Sequence, residues 1–178
     1  GNQYAMISLN LNLGILHARI ENIDQSKYHY QEALQLAREL NDLEGELNAI
    51  NNLGGIASKN GNFDESIAYF NSILAMEGLE DDFYFTSHTN LGTAYRRANK
   101  PKQALHHFKE AEQFMSEEKG FLRLSYLINL GIALRMDKQY SLSEKTLLQA
   151  YDLASTIQNR SFKSNTTVEL AVLYKELN

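Results

Sequence analysis

The sequence contains no cysteine, a single proline and no long apolar run. Without cysteine there can be no disulfide framework, no thiolate metal site and no cysteine nucleophile. A proline inside a helix costs about 3 kcal/mol, so a chain with only one proline has little to interrupt long helices. We therefore predict that these 178 residues form an all-α fold with a buried core.

An excess of positive charge is also missing, because the formal net charge is −5 at pH 7. Nucleic-acid binding depends on attraction to phosphates, so we expect no nucleic-acid partner. No segment approaches the roughly 20 apolar residues that span a bilayer, and no charged-then-apolar signal precedes the first helical pattern near Tyr4. We expect a soluble, cytoplasmic protein that makes no membrane contact.

An internal repeat organises the sequence. The tripeptide Asn-Leu-Gly occurs four times, at intervals of 38 to 40 residues, and its glycines are Gly14, Gly54, Gly92 and Gly131. A degenerate fifth copy, Glu169-Leu170-Ala171, continues the series at the same interval. Because the flanking pattern recurs with the tripeptide, we interpret the repeat as structural.

Each repeat reads as two helices around a short turn. A large residue stands 17 positions after each repeated Leu, at Tyr30, Phe70, Phe108 and Leu147. Pro101 suits the first turn of a helix, and Ser141-Leu142-Ser143-Glu144 has the form of a capping box that would start another. We predict nine helices in one domain over residues 1–178, near residues 3–20, 24–40, 43–59, 63–77, 82–99, 101–117, 121–137, 141–157 and 161–177. They form four repeats, 3–40, 43–77, 82–117 and 121–157, and a half repeat, 161–177.

The pattern resembles the tetratricopeptide repeat. The third repeat carries the family's residues most fully, at Leu91, Gly92, Tyr95, Ala104, Phe108 and Ala111. Elsewhere the chain departs from the family, since Ser26, Ser66 and Ser143 stand in place of Ala104. A period of 38 to 40 residues, against the usual 34, is similar to kinesin light chains, LGN-type scaffolds and bacterial regulators that sense peptide pheromones. The resemblance implies a right-handed superhelical solenoid of about 4.5 antiparallel helix pairs.

The predicted binding site is a line of side chains on the first helix of each repeat. Asn12, Asn52, Asn90 and Asn129 lie one residue before the packed Leu-Gly, and the resemblance implies that they contact the backbone of a bound peptide. A primary amide donates and accepts hydrogen bonds, so such a line suits an extended peptide of any sequence. Helical neighbours complete the predicted peptide-binding site with Asn48, Thr93, Arg96, Arg97 and Arg135.

The arginines favour an acidic ligand, because guanidinium groups form charge-assisted bonds with carboxylates. A structural interpretation of the same residues stays open. The asparagines would then bond neighbouring helices, and the arginines would be solvated helix ends.

No catalytic site, metal site or cofactor is expected. His106 and His107 are adjacent on a helix and point about 100° apart, so they cannot share one metal ion. His17, His29 and His88 lie in different parts of the chain without a carboxylate at a spacing typical of zinc sites or triads. We expect a protein- or peptide-binding module, not an enzyme.

The C-terminal helix is apolar around more than one face, with Val168, Leu170, Val172 and Leu173 among its residues. The end of a repeat array normally presents a polar outer side. We interpret the domain as part of a larger protein, or as one that associates with itself through this helix. The alternative function is therefore a structural or assembly module without a groove ligand.

Overall fold

The computed structural model describes residues 2–115 and 120–177, and within these ranges it contains nine α-helices and no strand. The all-α prediction of antiparallel helix pairs is confirmed. The helices are α1 (Gln3–Arg19), α2 (Ile23–Leu40), α3 (Leu43–Lys59), α4 (Phe63–Leu74), α5 (Asp81–Arg97), α6 (Pro101–Glu112), α7 (Gly120–Met136), α8 (Tyr140–Thr156) and α9 (Arg160–Leu177).

The chain divides into two compact units, Gly1–Gly78 and Leu79–Asn178. In the first unit the hairpins α1–α2 and α3–α4 pack together through α2 against α3 and α1 against α3. In the second unit the hairpins α5–α6 and α7–α8 pack in the same way, and α9 packs on α8 and α7. The sequence-based expectation of one continuous domain stays a prediction.

The turns inside the four hairpins share one backbone geometry. Three residues join the helices of each hairpin, and the middle one is left-handed, with φ of 60° at Glu21, 83° at Gly61, 59° at Asn99 and 62° at Lys138. In every case the last turn residue donates its N–H to a carbonyl five residues earlier, at 2.9 Å. This is the Schellman arrangement that satisfies the carbonyls at a helix end. The backbone therefore fixes the hairpin, whichever residue occupies the turn.

The repeated glycines allow the two helices of each hairpin to approach closely. A Cβ atom at Gly54 or Gly92 would lie 2.7 Å from a ring carbon of Phe70 or Phe108, and one at Gly131 would lie 2.7 Å from Leu147 Cδ2. Gly14 faces the Tyr30 ring in the same way. The large residues of the second helices and the four repeated glycines are all buried. Of the repeated leucines, Leu53 and Leu91 are buried, and Leu13 and Leu130 are half-buried.

Side chains cap several helix starts. Asn2, Asn22 and Asp42 accept hydrogen bonds from the first turns of α1, α2 and α3, and Pro101 is the first residue of α6, as predicted. The predicted capping box is wrong. Helix α8 begins at Tyr140, ahead of it, and the Ser143 hydroxyl instead donates to the Gly131 carbonyl across the hairpin at 2.8 Å.

Two helices end earlier than their apolar pattern indicates. Helix α4 ends at Leu74 and not at residue 77, and the chain then reaches Gly78 with φ of 72°. Helix α6 ends at Glu112, while residues 116–117 of its predicted span lie outside the described part of the chain. In both cases no proline or glycine stands at the observed end, so nothing local in the sequence marks it.

Candidate functional site

In the first unit, the predicted site residues lie on two helices that touch. Asn12 is on α1, and Asn48 and Asn52 are on α3, which packs against α1. Asn12 and Asn48 are exposed and Asn52 is half-buried. Among the described residues, none of these three amide groups has a hydrogen-bond partner. They therefore do not bond neighbouring helices, and their donors and acceptors face solvent.

In the second unit, Asn90 and Thr93 on α5 and Asn129 on α7 are half-buried, and these two helices are also in contact. The Asn129 Nδ2 donates to the Ser125 carbonyl of its own helix at 2.8 Å. Thr93 donates to the Thr89 carbonyl one turn earlier at 2.9 Å. Because these bonds stay within one helix, the Asn129 oxygen and its second amide hydrogen have no partner in the described residues.

The three predicted arginines differ in their surroundings. Arg97 is exposed, whereas Arg96 and Arg135 are half-buried on the adjacent helices α5 and α7. Arg135 bonds two carboxylates of α9: its Nη2 lies 3.4 Å from Glu169 Oε2, and its Nη1 bonds Glu176 Oε1. Sequence reasoning missed these two acids as members of the site. A signal was present, because Glu169 stands where the other repeats have asparagine.

Arg96 has no carboxylate within ion-pairing distance among the described residues. Burial lowers the pKa of Arg96, the more distant Glu169 opposes that shift, and the positive charges of Arg97 and Arg135 add to it. The Nε atoms of both half-buried arginines are enclosed without a hydrogen-bond partner. A guanidinium in such a setting attracts an anion, because a poorly solvated charge is costly unless it is paired.

Histidine side chains that are distant in the sequence contact each other within two of the hairpins. His88 Nδ1 and His107 Nδ1 lie 3.3 Å apart between α5 and α6. In the first hairpin His29 Nδ1 bonds Asn10 Oδ1 at 2.9 Å and stacks on His17. His107 is half-buried and contacts His88 on the facing helix, whereas the adjacent His106 is exposed. The sequence did contain a signal for these contacts. In both hairpins, the two bonded residues stand four positions before and 15 positions after the repeated glycine.

The half-buried ring of His107 remains neutral at ordinary pH. Burial and the neighbouring His88 lower the pKa of His107 to about 4, and burial also lowers the pKa of His88. In the parts of the chain that the structure describes, no three His, Asp or Glu side chains converge in a way that would hold a metal ion. Within the same parts, no helix combines the length and the apolar character needed to cross a membrane.

Comparison with known families agrees with this geometry. A model of the tetratricopeptide repeat matches residues 4–77 and again residues 46–117. The chain belongs to the tetratricopeptide repeat family. A model described as anaphase-promoting complex subunit 5 matches residues 124–178. No curated protein sequence shows a significant match.

Solved structures share the fold at low sequence identity. The apo form of the quorum sensor NprR from B. thuringiensis is 16% identical, with a TM-score of 0.80 over 95% of this chain and 48% of that one. NprR in complex with its cognate peptide NprX is 16% identical, with a TM-score of 0.78 over 96% and 50% of the two chains. BtubC from P. vanneervenii is 21% identical, with a TM-score of 0.77 over 95% and 70%. This chain therefore spans about half the length of the NprR chains.

Proposed function

We propose that this chain is a protein- or peptide-binding module that holds an extended peptide on the asparagine-bearing faces of its first helices. The observation that carries the proposal is the state of Asn12, Asn48 and Asn52, whose amide groups have no hydrogen-bond partner in the described chain. An amide with a structural task would bond a neighbouring helix. An unbonded amide beside a packed repeat is suited to pair with the N–H and C=O groups of a peptide.

The likeness to NprR supports a peptide as the ligand class. That protein has been solved with its cognate peptide, and its fold matches almost the whole of this chain. Repeat proteins of this kind use stacked helices as binding surfaces and have little chemistry of their own. The partner that we propose is an extended peptide or a protein segment, bound without a cofactor by a cytoplasmic module.

The charged residues favour an acidic ligand. Arg96 and Arg97 carry positive charge at the end of α5, and Arg96 is poorly solvated without a carboxylate beside it. A peptide side-chain carboxylate or C-terminus would supply the missing anion through charge-assisted bonds.

To test the function, a displayed library of random heptapeptides is selected on the protein, and the enriched sequences are synthesised and titrated by calorimetry. Two double variants are compared, Asn12→Ala/Asn52→Ala and Asn90→Ala/Asn129→Ala. We expect at least one of them to lose about tenfold in affinity, since each lost hydrogen bond contributes roughly 0.5–1.5 kcal/mol.

Asn71→Ala is the matched control, because Asn71 is an exposed asparagine on the second helix α4. The control should change affinity less than twofold, and circular dichroism should show unchanged helicity in every variant. Full affinity in both folded double variants, or no enrichment of any peptide, would overturn the groove function.

An assembly function is the second candidate, and the exposed apolar surface of α9 favours it. Val168 is 58% exposed, Leu177 50% and Tyr174 41%, and Leu148 of α8, which is 43% exposed, lines a surface depression together with Tyr174. Sedimentation of the parent and of Val168→Asp over a wide concentration range tests this candidate. Concentration-dependent mass that the aspartate abolishes would support assembly, and a constant monomer mass would exclude it.

A further inference from the structure

Five charged side chains of the second unit gather on α5, α7 and α9. Three are arginines and two are glutamates: Arg96, Arg97, Arg135, Glu169 and Glu176. The positive charges therefore exceed the negative ones by one. Because the cluster is partly shielded from solvent, this surplus charge is not fully compensated by water.

The negative charges of the cluster are concentrated on one arginine. The Arg135 side chain is only 16% exposed, and both Glu169 and Glu176 bond its two terminal nitrogens. A third carboxylate approaching Arg135 would meet two like charges that already bond both of its terminal nitrogens. Arg135 is therefore a poor site for a ligand anion while α9 holds it.

Arg96 is in the opposite situation. It lies on the neighbouring helix, close enough to Arg97, Arg135 and Glu169 to interact with their charges. None of its nitrogens forms an ion pair within the described residues. Its terminal nitrogens have no acceptor among those residues either, and only its Nε atom, like that of Arg135, is enclosed. The guanidinium thus has unused hydrogen-bond donors, and its positive charge is poorly compensated. An incoming carboxylate would accept hydrogen bonds from these donors and neutralise the charge.

The repeat explains why acids stand at this point of the surface. Glu169 precedes Leu170-Ala171, so it occupies in α9 the position that asparagine occupies in the earlier repeats. Residues at that position belong to the face on which the peptide is proposed to bind. The Glu169 side chain would therefore face the same ligand as the asparagines. In the unbound protein it already pairs with Arg135.

We propose that the site accepts one ligand carboxylate, at Arg96, because Glu169 and Glu176 of α9 act as internal competitors that hold Arg135. The proposal rests on the peptide-binding function and deepens it. The ligand class that follows is a peptide with a single carboxylate at this end of the surface, either one acidic side chain or a free C-terminus. In a ligand with two adjacent acidic residues, the second carboxylate would lie near Glu169 and Glu176 of α9 and be repelled by them.

The test follows the two guanidinium groups directly and needs no identified peptide. Arginine Nε–H signals are recorded by NMR and assigned with Arg96→Gln and Arg135→Gln, and sodium acetate is then titrated against sodium chloride of equal ionic strength. In the parent, acetate should shift the Arg96 signal in a saturable way and leave the Arg135 signal unchanged. In the double variant Glu169→Gln/Glu176→Gln, both signals should shift.

Glutarate, a dicarboxylate, serves as the second probe. It should bind the double variant at least tenfold more tightly than the parent, and Glu112→Gln, at an exposed position of α6, should behave as the parent does. Glu176→Gln alone keeps one carboxylate on Arg135 and provides a milder variant if the double one loses helicity. An Arg96 signal that acetate does not move, or an Arg135 signal that moves equally in parent and variant, would overturn the proposal.

The outcome separates this inference from the proposed function. If Arg96 responds to acetate but no heptapeptide is enriched, the anion site stands and the peptide-binding function fails. If peptides are enriched but acetylated and amidated versions without carboxylates bind as tightly as the acidic ones, the peptide function stands and the single-carboxylate site fails.

Discussion

The hairpins α1–α2 and α5–α6 share one packing plan but differ in their polar contacts. In both, a glycine of the first helix lies against an aromatic ring of the second, Tyr30 in one and Phe108 in the other. In both, a polar residue one turn before the glycine bonds a histidine of the second helix. The apolar part of the plan is therefore shared, because a close helix approach permits few solutions.

The polar part varies because more than one pair of groups satisfies the same geometry. Asn10 bonds His29 in the first hairpin, whereas two histidines meet in the other. The Ser26 hydroxyl donates to the Gly14 carbonyl at 2.8 Å, and Ala104 fills the equivalent place without a hydrogen bond. The two hairpins should therefore respond alike to changes in the glycine and differently to changes in pH or in the hydroxyl.

The largest effect should come from breaking the shared contact. Gly14→Val and Gly92→Val would each force a side chain into space that Tyr30 or Phe108 occupies, and we expect each to lower the free energy of unfolding by about 2–4 kcal/mol. Urea unfolding followed by circular dichroism measures the loss.

Gly55→Val is the control for the glycine variants, because a Cβ atom at that helical position meets open space. It should change stability by no more than about 0.5 kcal/mol, since valine has a slightly better helix propensity than glycine. Losses confined to one of the two hairpins would contradict a shared plan.

A smaller effect should distinguish the hairpins by pH. The folded-state pKa of His107 is about 4, below an unfolded value near 6.5, so its stabilisation is complete above pH 6.5 and is lost as the pH falls toward 4. Allowing for partial exposure of the ring, we expect about 1–2 kcal/mol of the acid destabilisation between pH 7 and 4.5 to come from this residue.

His107→Gln should remove that part of the pH dependence, and urea unfolding at the two pH values measures it. His106→Gln, at the exposed neighbouring position, should behave as the parent does. An unchanged pH dependence in His107→Gln would show that the histidine contact does not titrate with folding.

The smallest effect concerns the serine hydroxyl. Ser26→Ala removes a buried donor that bonds Gly14, and we expect a loss of about 1 kcal/mol in the free energy of unfolding. Ala104→Ser is the reciprocal change, and we expect a loss within about 1 kcal/mol, on the hypothesis that the new hydroxyl bonds the Gly92 carbonyl as Ser26 bonds Gly14. Thermal unfolding of both variants tests the exchange, and a larger loss from the reciprocal variant would show that the two positions are not equivalent.

The helices, the hairpins and the packed Leu-Gly residues could be predicted from the sequence because each depends on short-range periodicity or on repetition. The ends of α4 and α6 could not, since no proline or glycine marks them. The capping-box prediction failed for a related reason. Ser143 has a partner in the facing helix, and a local motif does not reveal that its side chain points there.

The sequence alone determined that this protein is a helical repeat and which side chains precede each packed glycine, because both are recorded in a regular spacing of 38 to 40 residues. Only the tertiary structure decided which charges and rings meet. Arg135 and Glu169 are 34 residues apart, and His88 and His107 are 19 apart. Such pairs form when helices of a hairpin or of neighbouring repeats pack, and their chemistry depends on distances and burial that no spacing in the chain expresses.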